Sequence, residues 1–121
     1  MKKSILIVDD SSSLRQVVNI TLTASGYDVT EAENGQVALD KLSGMKPSLI
    51  LCDVNMPVMD GLTFLTELRS VEHCKFTPVL MLTTESEDEM KKKGLEAGAK
   101  AWLVKPFKPD QVLKAVTKLT M

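Results

Sequence analysis

What the chain has little of narrows its chemistry first. A single histidine, His73, excludes a His-centred catalytic triad, and its place in a polar stretch after a helical pattern marks it as a surface residue rather than a ligand or base. The two cysteines, Cys52 and Cys74, form no CxxC pair and have no clustered histidines, so they read as buried reduced thiols and not as a metal or redox site. No apolar run approaches membrane-spanning length, and only Lys2 and Lys3 precede a short apolar strand. Neither a membrane segment nor a signal peptide is expected, and the expected address is cytoplasmic. An excess of one charge is missing too. The 15 basic and 16 acidic residues give a formal net charge of -1, which offers no broad attraction to nucleic acid or anionic lipid. Function must come from a local site.

What is present is an alternation of apolar strands and amphipathic helices. At 121 residues the chain is expected to be one domain over 1–121, with one sizeable core and no second folded unit. Strands are predicted at 4–8, 28–32, 49–52, 79–82 and 101–104, apolar throughout except for the weaker second. Between them lie helical patterns. Ser11 and Ser12 can cap a helix with Leu14, Val17, Val18, Thr21 and Leu22 on one face, which Gly26 stops. Asn34-Gly35 reads as a turn before a helix that turns Ala38, Leu39 and Leu42 inward, and a third helix is predicted over 62–69. Acidic residues 85–89 open a fourth helix that Lys91, Lys92 and Lys93 make basic, and Gly94 weakens its continuation by about 1 kcal/mol relative to alanine. Pro109-Asp110 opens a fifth, with Val112, Val116 and Leu119 along one side. Strands apolar on both faces, alternating with helices, specify a doubly wound α/β fold: a five-stranded parallel sheet covered by five helices. The flavodoxin-like strand order 2-1-3-4-5 puts the switch point between strands one and three.

Four of these strands end in a reactive polar residue. Asp9-Asp10 follow the first, Asp53 the third, Thr83-Thr84 the fourth and Lys105 the fifth. In a parallel sheet the carboxyl ends lie together, so three carboxylates, a hydroxyl and an ammonium group converge on one edge. Repulsion among the carboxylates is relieved by protonation or by a bound cation, and Mg2+ suits such oxygen ligands, together with a phosphate oxygen. A carboxylate can attack phosphorus to give an aspartyl phosphate. Asp53 is the candidate nucleophile because it stands alone at the central strand's end, Lys105 the candidate counter-charge, and Thr83 a hydroxyl able to donate to a phosphoryl oxygen. The stretch 54–61, with Pro57 and Gly61, reads as an active-site loop.

The segments Ile5-Leu6-Ile7-Val8-Asp9-Asp10, Asp53-Val54-Asn55-Met56-Pro57-Val58-Met59-Asp60-Gly61, Thr83-Thr84-Glu85 and Lys105-Pro106-Phe107 resemble, in order and spacing, the signatures of the response-regulator receiver family. Nearly the whole chain is covered, and the likeness is strongest to its CheY-like, single-domain chemotaxis type. The resemblance implies that Asp53 accepts phosphoryl from a histidine kinase. Asp10, Asp53 and the backbone carbonyl of Asn55 would ligate Mg2+, with Asp9 acting mainly through water. Thr83 and Lys105 would bind the phosphoryl group, Asn55 and Glu85 would tune its lifetime, and the Lys105-Pro106 bond would be cis. Trp102 matches the aromatic of the family's switch, where tyrosine or phenylalanine is more usual, and the bulkier indole is expected to bury less readily when Thr83 moves toward phosphate. The implied output surface is the fourth helix, fifth strand and fifth helix. Implied partners are a chemotaxis-type histidine kinase, a flagellar motor switch protein and a phosphatase, met by a monomer without an output domain.

A motor-ligand role and a phosphate-sink role both stay open, and two other classes are weaker. A role as a phosphate sink that drains a kinase uses the same residues. An aspartate-nucleophile phosphatase needs a second acid two residues after the nucleophile, where Asn55 stands. A flavin-binding protein of this fold needs a Ser/Thr/Gly-rich phosphate loop after the first strand, where Asp9-Asp10 would repel the phosphate.

Overall fold

The structure, a computed structural model, describes residues 2–84 and 88–121, the side chains of residues 88–91 excepted. Strands β1 (Ser4–Val8), β2 (Asp28–Ala32), β3 (Leu49–Asp53), β4 (Val79–Thr83) and β5 (Ala101–Val104) alternate with helices α1 (Ser12–Ala24), α2 (Gly35–Leu42), α3 (Gly61–Leu68), α4 (Asp88–Glu96) and α5 (Pro109–Leu119). They form one parallel sheet in the order β2-β1-β3-β4-β5, as the alternation predicts.

Successive strand residues feed two different cores. Leu6, Val8, Ile50, Cys52, Val79 and Met81 face Ala38, Leu42, Phe64, Leu65 and Leu68 from α2 and α3. Ile5, Ile7, Leu49, Leu51, Leu80 and Leu82 face Val18 and Leu22 of α1 and Val112 and Val116 of α5. This two-sided burial is why the strands read as continuous apolar runs. The edge strand β2, with its part-exposed Val29 and Thr30, shows the weaker pattern.

Caps set the helix starts. Ser11, Asn34 and Asp60 accept hydrogen bonds from the backbone N–H groups of Leu14, Val37 and Thr63. Asn34-Gly35 is therefore a cap and first helical residue rather than a separate turn, and α3 starts one residue earlier than its apolar pattern. At the end of α1, Gly26 takes a φ of +95°, with its N–H on Thr23 and that of Tyr27 on Leu22, closing the helix as its glycine suggests. A short 3-10 turn at Glu72–Cys74, without a periodic signal in the sequence, brings His73 beside α2. His73 is exposed, but its Nε2 lies 2.6 Å from the carbonyl oxygen of Leu42 and 3.1 Å from that of Met45. Donating from Nε2, it serves the Leu42 carbonyl at the end of α2 and the Met45 carbonyl in the loop beyond, a structural task beyond that of a bare surface residue.

Candidate functional site

The carboxyl ends of β1, β3, β4 and β5 carry the four predicted groups to one edge of the sheet. Asp9, Asp10 and Asp53 each offer a carboxylate oxygen within 4.8 Å of the others. Asp9 is completely buried, Asp53 nearly so, and Asp10 is exposed. Lys105 reaches in from β5, its Nζ donating to Asp9 Oδ2 at 2.9 Å and lying 3.4 Å from Asp53 Oδ1. The other Asp9 oxygen accepts the Ser11 N–H at 2.9 Å. Both Asp9 oxygens thus have protein donors, whereas Asp10 is exposed to solvent.

The loop geometry that presents Asp53 depends on two residues after it. The Gly61 N–H bonds the Val54 carbonyl at 2.8 Å, folding the start of α3 back onto the strand end. A Cβ on Gly61 would collide with the Asp53 carbonyl oxygen and lie 2.8 Å from Val54 Cα, so the approach requires glycine. Between them, Val58 is held at a φ of +70°, an outlier for a β-branched residue, with the Met59 N–H on the Pro57 carbonyl at 2.7 Å. Backbone strain is thereby stored next to the acidic cluster. The Lys105-Pro106 bond is cis, as the resemblance implies, and the Lys105 N–H bonds the Thr83 carbonyl at 2.6 Å.

Electrostatics follow from burial and crowding. Desolvation, then the Asp9 charge, pushes the Asp53 carboxyl up to about 6 against the pull of Lys105, and Asp10 adds a smaller push. Burial alone would lower the Lys105 pKa, but its hydrogen bond and charge pairing with Asp9 and Asp53 outweigh that and hold the ammonium above the usual lysine range. Cys52, one residue before Asp53, is fully buried; burial and the Asp53 charge push its thiol well up, so it is inert packing. Three carboxylates, one of them held back from ionising by burial and crowding, offer hard oxygen donors suited to a small divalent cation, and the residues present fit Mg2+.

The remaining predicted residues have these places. Thr83 ends β4 and is completely buried. Asn55 lies two residues past Asp53 with an exposed side chain. Glu85 lies outside the described residues. Trp102 stands on β5 opposite Met81, and the register sets Thr83 opposite Val104, so Thr83 and Trp102 share one face of the sheet. Trp102 is half-buried against the α2–α3 core.

Two positions had no signal of their own in the sequence. Arg15 on α1 donates from Nη1 to the Asp9 carbonyl at 2.5 Å and from Nε to Glu31 at 3.0 Å, steadying the turn that carries the acid pair. Arg69 donates to the carbonyls of Lys75, Thr77 and Gly98, tying the entry to β4 and the end of α4 together. A cavity of about 330 Å³ between α1 and α5, lined by Leu14, Val17, Phe107 and Pro109 among others, carries no ionisable group. The chemistry therefore belongs to the acidic edge and not to that groove.

Residues 5–117 match the family model of the response regulator receiver domain. The chain belongs to this receiver family. Receiver domains are signalling domains rather than enzymes in the ordinary sense, and a receiver implies a histidine kinase as partner. Among solved receivers, the Vibrio cholerae chemotaxis protein CheY4 superposes with a TM-score of 0.95 at 45% identity, covering 98% of this chain and 99% of that one. The Bacillus subtilis chemotaxis protein CheY is 37% identical over 119 residues, 98% of each chain. The alkaline phosphatase synthesis transcriptional regulatory protein PhoP of Bacillus subtilis is 42% identical over 112 residues, 93% of this chain but 46% of that protein. The chain thus spans about half the length of this transcriptional relative and nearly all of the chemotaxis ones. Among the described residues, no helix is long and apolar enough to cross a membrane.

Proposed function

We propose that the chain acts in the cytoplasm as a phosphorylation-activated response regulator of chemotaxis type, and that Asp53 is its phosphoacceptor. The observation that carries this reading is the Asp53 carboxylate at the sheet edge, flanked by Asp9 and Asp10 and faced by Lys105 at 3.4 Å. In the proposed reaction an Asp53 oxygen attacks the phosphorus of a kinase phosphohistidine. The P–O bond forms as the P–N bond breaks, and the electron pair leaves with the imidazole nitrogen. A carboxylate more basic than usual is the better nucleophile, provided that it is ionised.

Asp10, Asp53 and the Asn55 carbonyl would hold Mg2+, while Asp9, already bonded to Lys105 and Ser11, would act through water. Bound there, the ion supplies positive charge against the carboxylates and the incoming phosphoryl oxygens. The Lys105 ammonium neutralises the same oxygens from the β5 side, and Thr83 donates its hydroxyl to one of them. Asn55 and Glu85 set how long the phosphoryl group survives. Movement of Thr83 along the face shared with Trp102 carries the change to α4, β5 and α5, where a flagellar motor switch protein would bind and a phosphatase would end the signal.

Acetyl phosphate with Mg2+ tests this directly. The unique tryptophan is expected to change its emission in the wild-type chain and not in Asp53→Asn. Absence of both a Mg2+-dependent change and phosphoryl incorporation rules the reading out. The likeness to half of a transcriptional regulator supports a second output for the same switch. A flagellar-switch peptide that binds phosphorylated and unphosphorylated chain equally favours that second output, or a phosphate sink, since such a ligand shifts no equilibrium.

A further inference from the structure

Gly94 lies inside α4, buried, where alanine would make the better helix. The reason for glycine is on the neighbouring strand. A Cβ built on Gly94 would overlap Trp102 Cζ3 and lie 3.0 Å from Cε3 and 3.4 Å from Cη2. The six-membered ring of the indole therefore rests in the space a side chain at 94 would fill. That space is not free to widen, because the end of α4 is tied down. The Ala99 N–H bonds the Gly94 carbonyl at 2.9 Å, the Lys100 N–H bonds Val79 at 2.9 Å, and Arg69 Nη2 donates to Gly98 at 3.0 Å.

A second observation concerns the other end of the ring. Trp102 Nε1 is buried and, among the described residues, has no hydrogen-bond partner. Burying an unpaired N–H is unfavourable, so packing alone holds the indole in place, and a small change in that packing moves it. Among the described residues, the packing comes from the α2–α3 core and from Gly94.

We propose that Gly94 is the positioning residue for Trp102: its missing side chain forms the seat that holds the indole inward in the chain without a phosphoryl group. Phosphorylation then acts by loosening or tightening the contact between α4 and the indole, rather than by drawing in an exposed ring. This rests on reading Thr83 and Trp102 as the switch pair, which their shared sheet face supports. It also explains how an indole is accommodated at a position where a smaller ring is usual.

The test uses the full chain, whose only tryptophan is Trp102. In the resting wild type, emission should be blue-shifted and acrylamide quenching weak. Gly94→Ala should shift emission to the red, raise quenching several-fold and lower Tm. In a Trp102→Ala background the same Gly94→Ala change should raise Tm, because the clash is gone and alanine favours the helix. Trp102→Phe should give a partial rescue. Emission typical of an exposed indole in the resting wild type overturns the proposal, as does Gly94→Ala raising Tm in both backgrounds with emission unchanged. Acetyl phosphate and Mg2+ separate the two readings. If Gly94→Ala behaves as predicted but wild-type emission ignores the phosphodonor while Asp53 is phosphorylated, the switch reading falls and the regulatory part of the proposal with it; the resting-state results alone decide the seat.

Discussion

Lys105 and Asp9 hold each other across the ends of β5 and β1, 2.9 Å apart, with the Asp9 side chain wholly out of water. Replacing Lys105 by methionine leaves a buried carboxylate without its cation, so Lys105→Met should destabilise the fold at pH 7 by about 3 kcal/mol, measured by urea unfolding. The lysine's contribution is fully present below the usual lysine range and is lost only as pH rises through its raised pKa. Asp53 responds to pH in the same direction but in a lower window. The folded chain keeps this proton up to about pH 6, whereas the unfolded chain releases it in the usual carboxylate range, so the folded state binds more protons across that window. Stability therefore falls as pH rises through the window and stays reduced above it. Two pKa units correspond to about 3 kcal/mol, and partial solvation reduces this to on the order of 1 kcal/mol. Asp53→Asn should raise stability by that amount at pH 7.5 and have little effect near pH 4. The same titration opposes the cation: apparent Mg2+ affinity should fall as pH drops below about 6, which isothermal titration at several pH values measures.

At the scale of elements, the β3–α3 connection is the most demanding piece of the molecule. Gly61→Ala puts a methyl into the Asp53 carbonyl, so it should cost roughly 3 kcal/mol and displace the loop that presents Asp53. Asp60→Ala removes only a cap and should cost about 1 kcal/mol, which thermal unfolding of the two variants separates. The strands and most helix faces were legible in the sequence because a sheet buried on both faces leaves no polar alternation to confuse the pattern. The convergence of Asp9, Asp53, Thr83 and Lys105 was legible because a parallel sheet puts every strand's carboxyl end on one edge. The caps shifted helix starts by a residue, since Asn34 and Asp60 act through a local side-chain bond that apolar periodicity does not register. Arg15, Arg69 and the Gly94–Trp102 contact were not legible, because each depends on the three-dimensional approach of a side chain that apolar spacing does not encode. The helix penalty at Gly94 was visible in the sequence; the ring that accounts for it was not.

Over the whole molecule, one sheet separates two cores, and the site sits where both end. The repulsion collected there is a standing cost to the fold that a bound cation removes. Millimolar Mg2+ should raise Tm, a chelator should reverse the gain, and Asp53→Asn should shrink it, since a ligand of the folded state stabilises in proportion to its binding. On the proposed function, phosphorylation would add nearly two negative charges at the same edge, and the proposed switch through Thr83, Trp102 and α4 would answer that charge. That output depends wholly on where the phosphoryl group lands. Intact-protein and peptide mass spectrometry after exposure to acetyl phosphate is the most direct test. A single phosphoryl group on Asp53, lost in Asp53→Asn and on chelation of Mg2+, is the predicted result; no incorporation, or incorporation that survives either change, contradicts it.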